Sequence, residues 1–413
     1  MTHPKMKYTY VGIDSHKDTH TAVFLDCFFE KLGEIQFDNL PSKFPEFLAN
    51  ALMLQQENTV LLFGLEDVSA YGRTLTVFLK EQNQQIKHVN ALLVARERKN
   101  QTITQKTDSV DAECAARVLL SKLDELPDAN PEDKYWILRS LVVRRDFIVK
   151  HNISLKNHLH SLLMHHYPNY RTFFHNIDNG SSLAFFSRYP SPSTLEGTDF
   201  NELSAFLSEA VGRRWGNAKA RMILDNLQDT TVPFQEIRDI SVQSTIRQIE
   251  FNLAEIERIE TALTEVLSWF DTRLTTMNGI GTVCAAQLLS CIGDIKRFPT
   301  SAKLARYSGI APVTYASGKK DMQFANQRGN RELNSLFHQL AVRLISTTSH
   351  KNVVMNSYFY EYFQRKQAEG KTKQQALKCV QRRLVNIIWN MLTYGRAYEN
   401  PEMFDKPKET VVK

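Results

Sequence analysis

The chain has 413 residues, 42% hydrophobic and 23% charged, so it is long enough to bury the cores of two or three domains. Its 16 glycines and 13 prolines exclude collagen-like and linker-dominated chains. The sequence has no membrane-length apolar run and no apolar signal core near its start, and its five cysteines form no CxxC pair. We therefore expect a cytoplasmic protein without a disulfide framework, a zinc ribbon or a membrane partner.

The formal charge is distributed unevenly. The net charge of +6 divides into 22 basic and 10 acidic residues over 271–413, against 29 basic and 35 acidic residues over 1–270. A basic end joined to an acidic remainder indicates a polyanion partner for the C-terminal part and a cation for the acidic part. Chance clustering of charges on solvated helices is the alternative.

Strand and helix patterns alternate over residues 1–125. Residues 8–26 predict a β-hairpin, and 59–66 and 85–90 predict further strands. Helical patterns cover 42–56, 69–82 and 107–122, and Thr107 is a suitable N-cap for the last of them. This alternation predicts an α/β domain.

The remainder of the chain is predicted to be mainly helical. Residues 123–133 have the proline and acid content of a linker. Over 241–270, apolar residues recur mostly at spacings of three and four, which predicts a short coiled coil or a helical hairpin. The aromatic stretch 168–235 gives no clear pattern, and 271–413 is helical with glycine punctuation.

Four acids stand where strands end or a helix begins. Asp14 ends the first strand and Glu66 a later buried strand, while Asp108 and Asp111 share one face of the helix after Thr107. Carboxylates gathered in this way repel one another unless cations lie among them. Two Mg²⁺ ions can stabilise the attacking and leaving oxygens of phosphoryl transfer. We favour a metal site over ordinary surface acids at a helix start.

Two other interpretations of the first hairpin are weaker. The phosphate loop of an actin-like ATPase needs a glycine and a small hydroxyl after the aspartate, where this chain has His16, Lys17 and Asp18. His16 and His20 have the spacing of zinc ligands on a helix, but they lie in a hairpin-like segment without a glutamate between them.

Two glycine-marked turns precede helices in the basic C-terminal part. Asn278-Gly279-Ile280-Gly281 opens a helix, as in a helix-hairpin-helix motif that presents backbone amides to phosphate, although a tight turn between packed helices has the same pattern. Residues 317–320 place a serine hydroxyl beside two lysines, and 327–331 lead into another helix. The nucleic-acid contacts that we predict are Gly279, Gly281, Lys319, Lys320, Arg328 and Arg331.

The motifs of both ends occur together in one known family. They are VGIDSHKDTHTAVFLD, LED, KTDSVDA, NGIG, IGDIKRFPTSAKLARYSGIAP, ASGKK and QRGNRELN. In this order they resemble the DEDD insertion-sequence transposases related to the pilin-gene inversion recombinase, over most of the chain except 168–235. The resemblance implies a RuvC-like (RNase H-like) α/β domain over 1–125, a helical coiled-coil region over 126–270 and a mainly helical transposase domain over 271–413.

The resemblance also implies site residues, cofactors and partners. It makes Ser317 the nucleophile, with Ser308 in YSGIAP as the competing serine, and it assigns Mg²⁺, or Mn²⁺ in its place, to the acids Asp14, Glu66, Asp108 and Asp111. The implied partners are DNA at the element ends and target, and a bridge RNA transcribed from the element. The coiled coil favours a homo-oligomer, a dimer or a tetramer, in a bacterial or archaeal nucleoid.

Our leading hypothesis is therefore a DNA transposase or recombinase that links Ser317 covalently to a DNA phosphate. Such a link conserves bond energy for rejoining the strands. On spacing alone, Ser317 is a phosphate contact or a plain loop residue. A metal-only RuvC-like endonuclease, with Ser317 as a phosphate contact, is therefore one alternative. A transposon-derived nucleic-acid-binding protein with structural acids is another. A covalent protein–DNA adduct separates the first hypothesis from both.

Overall fold

The structure is a computed structural model that describes residues 3–399 except 67–69, 102–104, 130–132, 212, 228–232, 318–319, 325, 327–328 and 348–353. The chain divides into two compact units, residues 1–136 and 137–413. The further boundary at 270 that the sequence suggests stays a prediction. Within the described residues, no helix has the length and apolar character to cross a bilayer.

The first unit contains one mixed sheet and four helices. Its strands β1 to β5 are Tyr8–Ser15, Thr19–Leu25, Lys31–Asp38, Val60–Leu65 and Gln85–His88. Its helices α1 to α4 are Phe44–Met53, Arg73–Glu81, Ala91–Asn100 and Asp108–Ser121. The strand order is β3-β2-β1-β4-β5; the first three strands pair antiparallel, and β4 and β5 continue the sheet in parallel.

Apolar side chains on both faces of the central strands bury this sheet between two helical layers. On one face, Val11 and Phe24 pack in a cluster with Phe47 of α1. On the other face, Tyr10 of β1 packs in a cluster with Leu119 of α4. The α/β class predicted for the N-terminal part is thus confirmed as a mixed five-stranded sheet with helices on each side.

Two elements of this unit were not predicted from the sequence. β3 is an edge strand whose exposed positions carry polar side chains and whose apolar residues Leu32, Ile35 and Phe37 are half-buried, so it lacks a continuous apolar run. α3 buries only Val94, which leaves no apolar periodicity to detect. Part of the predicted linker also joins the sheet, since Asp128 bridges to Lys87 and the Ala129 amide donates to the Ile86 carbonyl at 2.9 Å.

The described part of the second unit is helical apart from one β-hairpin. Helices α5 to α10 are Asp133–His166, Tyr170–Phe173, Gly180–Arg188, Phe200–Val211, Arg213–Asp225 and Gln235–Ser268. Helices α11 to α15 are Thr282–Ile292, Ser301–Tyr307, Arg331–Ile345, Ser357–Ala368 and Lys373–Tyr394. The hairpin strands β6 and β7 are Val313–Ser317 and Lys320–Phe324. The prediction of a mostly helical remainder is confirmed, but the hairpin was not predicted.

The two longest helices, α5 and α10, run antiparallel. Arg145 of α5 pairs with Glu260 of α10 at 2.7 Å, and near the other end of α5 His166 lies 3.4 Å from Asp239. Residue numbers therefore rise along one helix as they fall along the other. The apolar spacing over 241–270 corresponds to a helix packed in this pair, and the aromatic stretch 168–235 folds against it as part of one core cluster.

Among the described glycines, Gly12 of β1 marks the closest approach between the sheet and α4. A Cβ atom there would lie 2.1 Å from the Ala112 carbonyl oxygen and 2.3 Å from the Ala116 amide nitrogen. We expect Gly12→Ala to lower the free energy of unfolding by about 1–3 kcal/mol in urea titration, because the helix backbone must move. Gly180→Ala is the control, since nothing lies within 4 Å of its added carbon. Equal midpoints for the two variants would contradict this close approach.

Candidate active site

Strand register places Asp14 beside Glu66. β1 and β4 pair in parallel with Ile13 opposite Leu65, so the next residues along the two strands, Asp14 and Glu66, are neighbours at the same edge of the sheet. Asp14 is the penultimate residue of β1, and its side chain is only 13% exposed. The ends of two neighbouring parallel strands thus carry one carboxylate each, as the sequence pattern predicts.

The start of α4 contributes the other two carboxylates. Thr107 is the N-cap of this helix, and its hydroxyl oxygen accepts a hydrogen bond from the Val110 amide at 3.3 Å. The cap begins the helix at Asp108, so Asp108 and Asp111 both fall in its first turn, where the helix dipole favours negative charge. Asp108 is half exposed, whereas Asp111 is buried.

His16 lies between Asp14 of β1 and Asp108 of α4. Its Nε2 atom lies 3.2 Å from Asp14 Oδ2 and 3.1 Å from Asp108 Oδ1. The sequence singled out His16 only as a weak zinc ligand paired with His20. His20 instead is buried, with its ring against Phe37 and Phe44, so the two histidines do not form one site.

Two of the carboxylates, Asp14 and Glu66, have raised pKa values. Burial raises the pKa of Asp14 above its ordinary value, and the carboxylates of Asp111 and Asp108 raise it further, against an opposing effect of His16. Burial likewise raises the pKa of Glu66, as do the charges of Asp14 and Asp111. These mutual effects are those of four acids gathered in one partly buried cluster.

Asp111 has a cationic partner that was not predicted from the sequence. Arg98, near the end of α3, forms an ion pair with Asp111 through its Nη1 atom. The basic segment before Lys106 contains this arginine, but without a predicted α3 the sequence offered no reason to place it beside the acids. Arg98 holds one carboxylate of the cluster and leaves Asp14, Glu66 and Asp108 for other ligands.

The cluster fits a divalent cation by the chemistry of its donors. Asp14, His16 and Asp108 each offer one ligand atom, and these atoms lie within 4.8 Å of one another. Carboxylate oxygens are the ligands that Mg²⁺ and Mn²⁺ prefer. Burial, and to a lesser degree the neighbouring carboxylates, raise the pKa values of Asp14 and Glu66, and a bound cation would favour their ionised forms. We call Asp14, His16, Glu66, Asp108 and Asp111 the acid cluster.

Ser317 lies at the end of the β6–β7 hairpin. It is the last residue of β6 and pairs with Lys320, the first residue of β7. Gly318 and Lys319, between them, lie outside the described residues, as do the side chains of Ser317 and Lys320. The backbone therefore puts the serine at the end of a hairpin strand, and its glycine-marked sequence predicts a turn there.

Ser308, the competing serine, is buried at the end of α12. It has no exposed surface, and its hydroxyl donates to the Ala305 carbonyl at 3.2 Å. The following residue, Gly309, adopts a φ of 69° and contacts Gly329 closely enough that a Cβ on Gly329 would lie 2.3 Å from the Gly309 Cα. This segment is packed inside the fold, which makes Ser308 a poor candidate for contact with DNA.

Some of the predicted phosphate contacts lie among the described residues and others do not. Gly279 adopts a φ of 97°, a conformation that favours glycine, and Gly281 is the exposed N-cap of α11 with open space beside it. Arg331 is the exposed first residue of α13, after the N-cap Asn330. Arg328 lies outside the described residues. The open N-terminus of α11 thus has the backbone geometry that suits a phosphate.

Two family models match the chain. One, the DEDD model of the IS110 group, is described as "Transposase" and matches residues 11–168. The other, described as "Transposase IS116/IS110/IS902 family", matches residues 271–358. Together they cover more than half of the chain. The first match contains the acid cluster and the second contains Ser317.

Several relatives are similar over nearly the whole chain. A 44.8 kDa protein of insertion element IS116 from Streptomyces clavuligerus is 25% identical over 397 residues, 94% of this chain and 96% of the relative. A 42 kDa protein of insertion element IS900 from Mycobacterium paratuberculosis is 22% identical over 395 residues, again 94% and 96%. The pilin gene-inverting protein of Moraxella lacunata is 28% identical over 141 residues, 33% of this chain and 41% of its own.

Proposed function

Because the chain belongs to the IS116/IS110/IS902 family of transposases, an enzyme family that cuts and joins DNA strands, we propose that it moves an insertion element by using the acid cluster and Ser317 on a DNA phosphate. The observation that carries this proposal is the convergence of carboxylates from the ends of β1 and β4 and the start of α4. Three antiparallel strands continued by two parallel ones, with acids at those strand ends, support an RNase H-like fold for this unit.

We assign the acid cluster to Mg²⁺. Asp14, Asp108 and Glu66 would hold the cation, with His16 between two of them in the structure. When bound, the cation supplies electrostatic stabilisation to phosphate oxygens that gain charge in the transition state. Arg98 pairs with Asp111 and orients its carboxylate at the edge of the cluster. Burial of Asp14 excludes water from one side of these carboxylates, which strengthens their charge interactions.

Ser317 is the proposed nucleophile. Its Oγ would form the new bond to phosphorus while the bond from phosphorus to a deoxyribose oxygen breaks. The serine proton leaves, and the departing oxygen takes up a proton. The phosphoserine link keeps the energy of the broken bond, and reversal of the same step on a second strand rejoins DNA. Its position at a hairpin tip supports this role because the backbone there lies at the end of an element.

The nucleic-acid partners follow from the basic C-terminal part and from the family. We propose that DNA phosphates contact the N-termini of α11 and α13, through Gly279, Gly281 and Arg331, together with Lys319, Lys320 and Arg328. We further propose that a bridge RNA guides the choice of donor and target DNA, and that the enzyme works as a homo-oligomer. The long antiparallel pair α5–α10 offers an extended surface for such assembly.

A metal-only endonuclease is the second candidate. It is favoured by one observation: the acid cluster is complete within the first unit, so cutting by the acids alone needs no residue from the second. In that case Ser317 would only contact phosphate. The test is to incubate the protein with element-end DNA, element-derived RNA and Mg²⁺, and to look for a covalent adduct on a denaturing gel. Cutting without an adduct selects the endonuclease.

Salt dependence tests the proposed DNA contacts. Lys319→Gln, Lys320→Gln, Arg328→Gln and Arg331→Gln, combined in one variant, should flatten the plot of log binding constant against log salt by roughly 0.9 for each phosphate that is no longer neutralised. Fluorescence anisotropy with duplex DNA measures this slope. Arg238→Gln with Arg247→Gln, two exposed positions on α10, is the control and should leave it unchanged. A wild-type slope in the quadruple variant would place the duplex elsewhere.

A further inference from the structure

A large cavity in the second unit has a basic lining. It lies between the turn after α12 and the helices α13, α14 and α15, and its volume is about 1250 Å³. Five cationic residues line it, and no aspartate or glutamate occurs among its described lining residues; the cations are Arg331, Lys371, Lys378, Arg382 and Arg383. We call it the basic cavity. An anionic ligand is the natural complement of such a lining.

Two of these cations share one face of α15. Lys378 and Arg382 are four residues apart on α15, so they lie on one face of the helix, where like charges are destabilising. Neither has a carboxylate partner within the described part of the chain, and burial lowers the pKa of both side chains. Arg382 donates only to the Ser301 carbonyl, at 3.2 Å, among its described contacts. Phosphate oxygens between these two cations would remove the repulsion.

The same wall contains buried amides with unsatisfied oxygens. Gln381 is 1% exposed; its Nε2 atom lies 3.0 Å from His338 Nδ1, and its Oε1 atom has no hydrogen-bond partner among the described residues. Asn386, further along α15, also has a buried Oδ1 atom without a described partner. Buried acceptors of this kind are uncommon in folded proteins, and glutamine and asparagine are the side chains that read the edges of bases.

An aromatic ring and the size of the cavity narrow the class of ligand. Tyr362 of α14 lines the cavity, with the guanidinium of Arg383 6.0 Å from its ring centre. Tyr362 is half-buried, and aromatic rings beside arginines are stacking surfaces for unpaired bases. The volume exceeds the roughly 300–1,000 Å³ of pockets for small molecules, which favours a piece of polymer over a single metabolite.

We propose that the basic cavity binds an unpaired segment of a polynucleotide strand, with phosphates on Lys378 and Arg382, a base on Tyr362 and a base amino group on Gln381. This site is separate from the α11 N-terminus that is proposed to contact duplex DNA, although it shares Arg331 with the α13 N-terminus. It deepens the proposed function by naming a place for an unpaired strand. The cavity proposal rests on the proposed function only for identifying the polymer as DNA or RNA.

Binding of short labelled strands tests the proposal without any cutting. In EDTA, 12-nucleotide DNA and RNA strands should bind more tightly than a duplex of the same sequence. Comparing the DNA strand with the RNA strand shows which of the two polymers the basic cavity prefers. Lys378→Gln with Arg382→Gln should weaken strand binding about tenfold and flatten the salt slope by roughly 0.7 for each phosphate that these side chains neutralise. The control pair Arg238→Gln and Arg247→Gln should bind as the wild type does. Wild-type strand binding by the Lys378 and Arg382 variant, or an equal loss of duplex binding in that variant, overturns the proposal.

Gln381→Leu tests the base contact and keeps a buried side chain of similar size. Oligomers of adenine or cytosine, which carry amino donors, should bind more tightly than oligo-thymine, and this difference should disappear in the variant. A strand with 5-iododeoxyuridine should cross-link to the peptide that contains Tyr362. A cross-link confined to the α11 N-terminus, or a base preference that survives in Gln381→Leu, overturns the assignment. Because no cutting is measured, these outcomes are independent of Ser317 and the acid cluster.

Discussion

Ser317→Ala is expected to abolish both the covalent protein–DNA adduct and strand joining, while binding of RNA and DNA stays at the wild-type level. The change removes a single oxygen from the end of β6, where Ser317 pairs with Lys320, and it leaves the β6–β7 hairpin and the acid cluster unchanged. Without that oxygen no phosphoserine can form, so the loss should be complete on a denaturing gel. Ser317→Cys should keep at most a trace of activity, because a thiolate is nucleophilic but longer and less suited to phosphate.

Ser308→Ala is the matched control for that experiment. Ser308 is fully buried, and its hydroxyl donates to the Ala305 carbonyl, so its loss should lower the free energy of unfolding by about 1 kcal/mol and leave the adduct intact. An adduct that persists in Ser317→Ala and disappears in Ser308→Ala would reverse the assignment. Metal-dependent cutting with no adduct in the wild type would instead favour the metal-only endonuclease.

Asp14→Asn should reduce DNA cutting and joining by about 10²–10³-fold or more, the usual scale for losing one strong electrostatic contribution to a transition state. Asp14 contacts His16 and perturbs Glu66, so the change weakens cation binding at the centre of the cluster. Asp108→Asn should act in the same direction. Asp18→Asn, at an exposed acid in the turn between β1 and β2, is the control and should retain activity. Wild-type recombination in Mg²⁺ by Asp14→Asn would remove that acid from the site.

The same variant should be more stable than the wild type when no cation is added. Burial and neighbouring carboxylates raise the pKa of Asp14, so folding disfavours its ionised form. This cost is absent below the ordinary pKa of an aspartate and grows as pH rises through the raised value, so the wild type loses more stability over that range than Asp14→Asn, which keeps only the contribution of Glu66. Thermal unfolding between pH 4 and 8 in EDTA measures the difference. Added Mg²⁺ should raise the wild-type Tm more than that of Asp14→Asn.

The part of the acid cluster built on strand ends was predictable from the sequence. Asp14 and Glu66 end two apolar strands, and parallel pairing of those strands makes them neighbours. Thr107 likewise marks the helix start that carries Asp108 and Asp111. The sequence pattern therefore contained the information because strand ends and helix caps are local signals.

His16 and Arg98 were not predicted, for two different reasons. His16 reaches Asp108 across the space between a turn and a helix more than ninety residues later, and no local pattern records that distance. Arg98 sits on α3, a helix with one buried apolar residue and thus no periodicity. The hairpin of Ser317 was missed because its strands have five residues each, and the helices of 168–235 because aromatic residues occur there without a regular spacing.

The antiparallel pair α5–α10 constrains how this family can vary in length. Each helix has 34 residues, and at 1.5 Å per residue each extends about 51 Å. Removing one residue from α5 turns every later side chain by about 100° relative to α10 and displaces the contacts that follow. We therefore expect insertions and deletions in this family to occur in steps of about seven residues, matched in both helices. Such steps preserve the surfaces that face each other and change only the length of the helix pair.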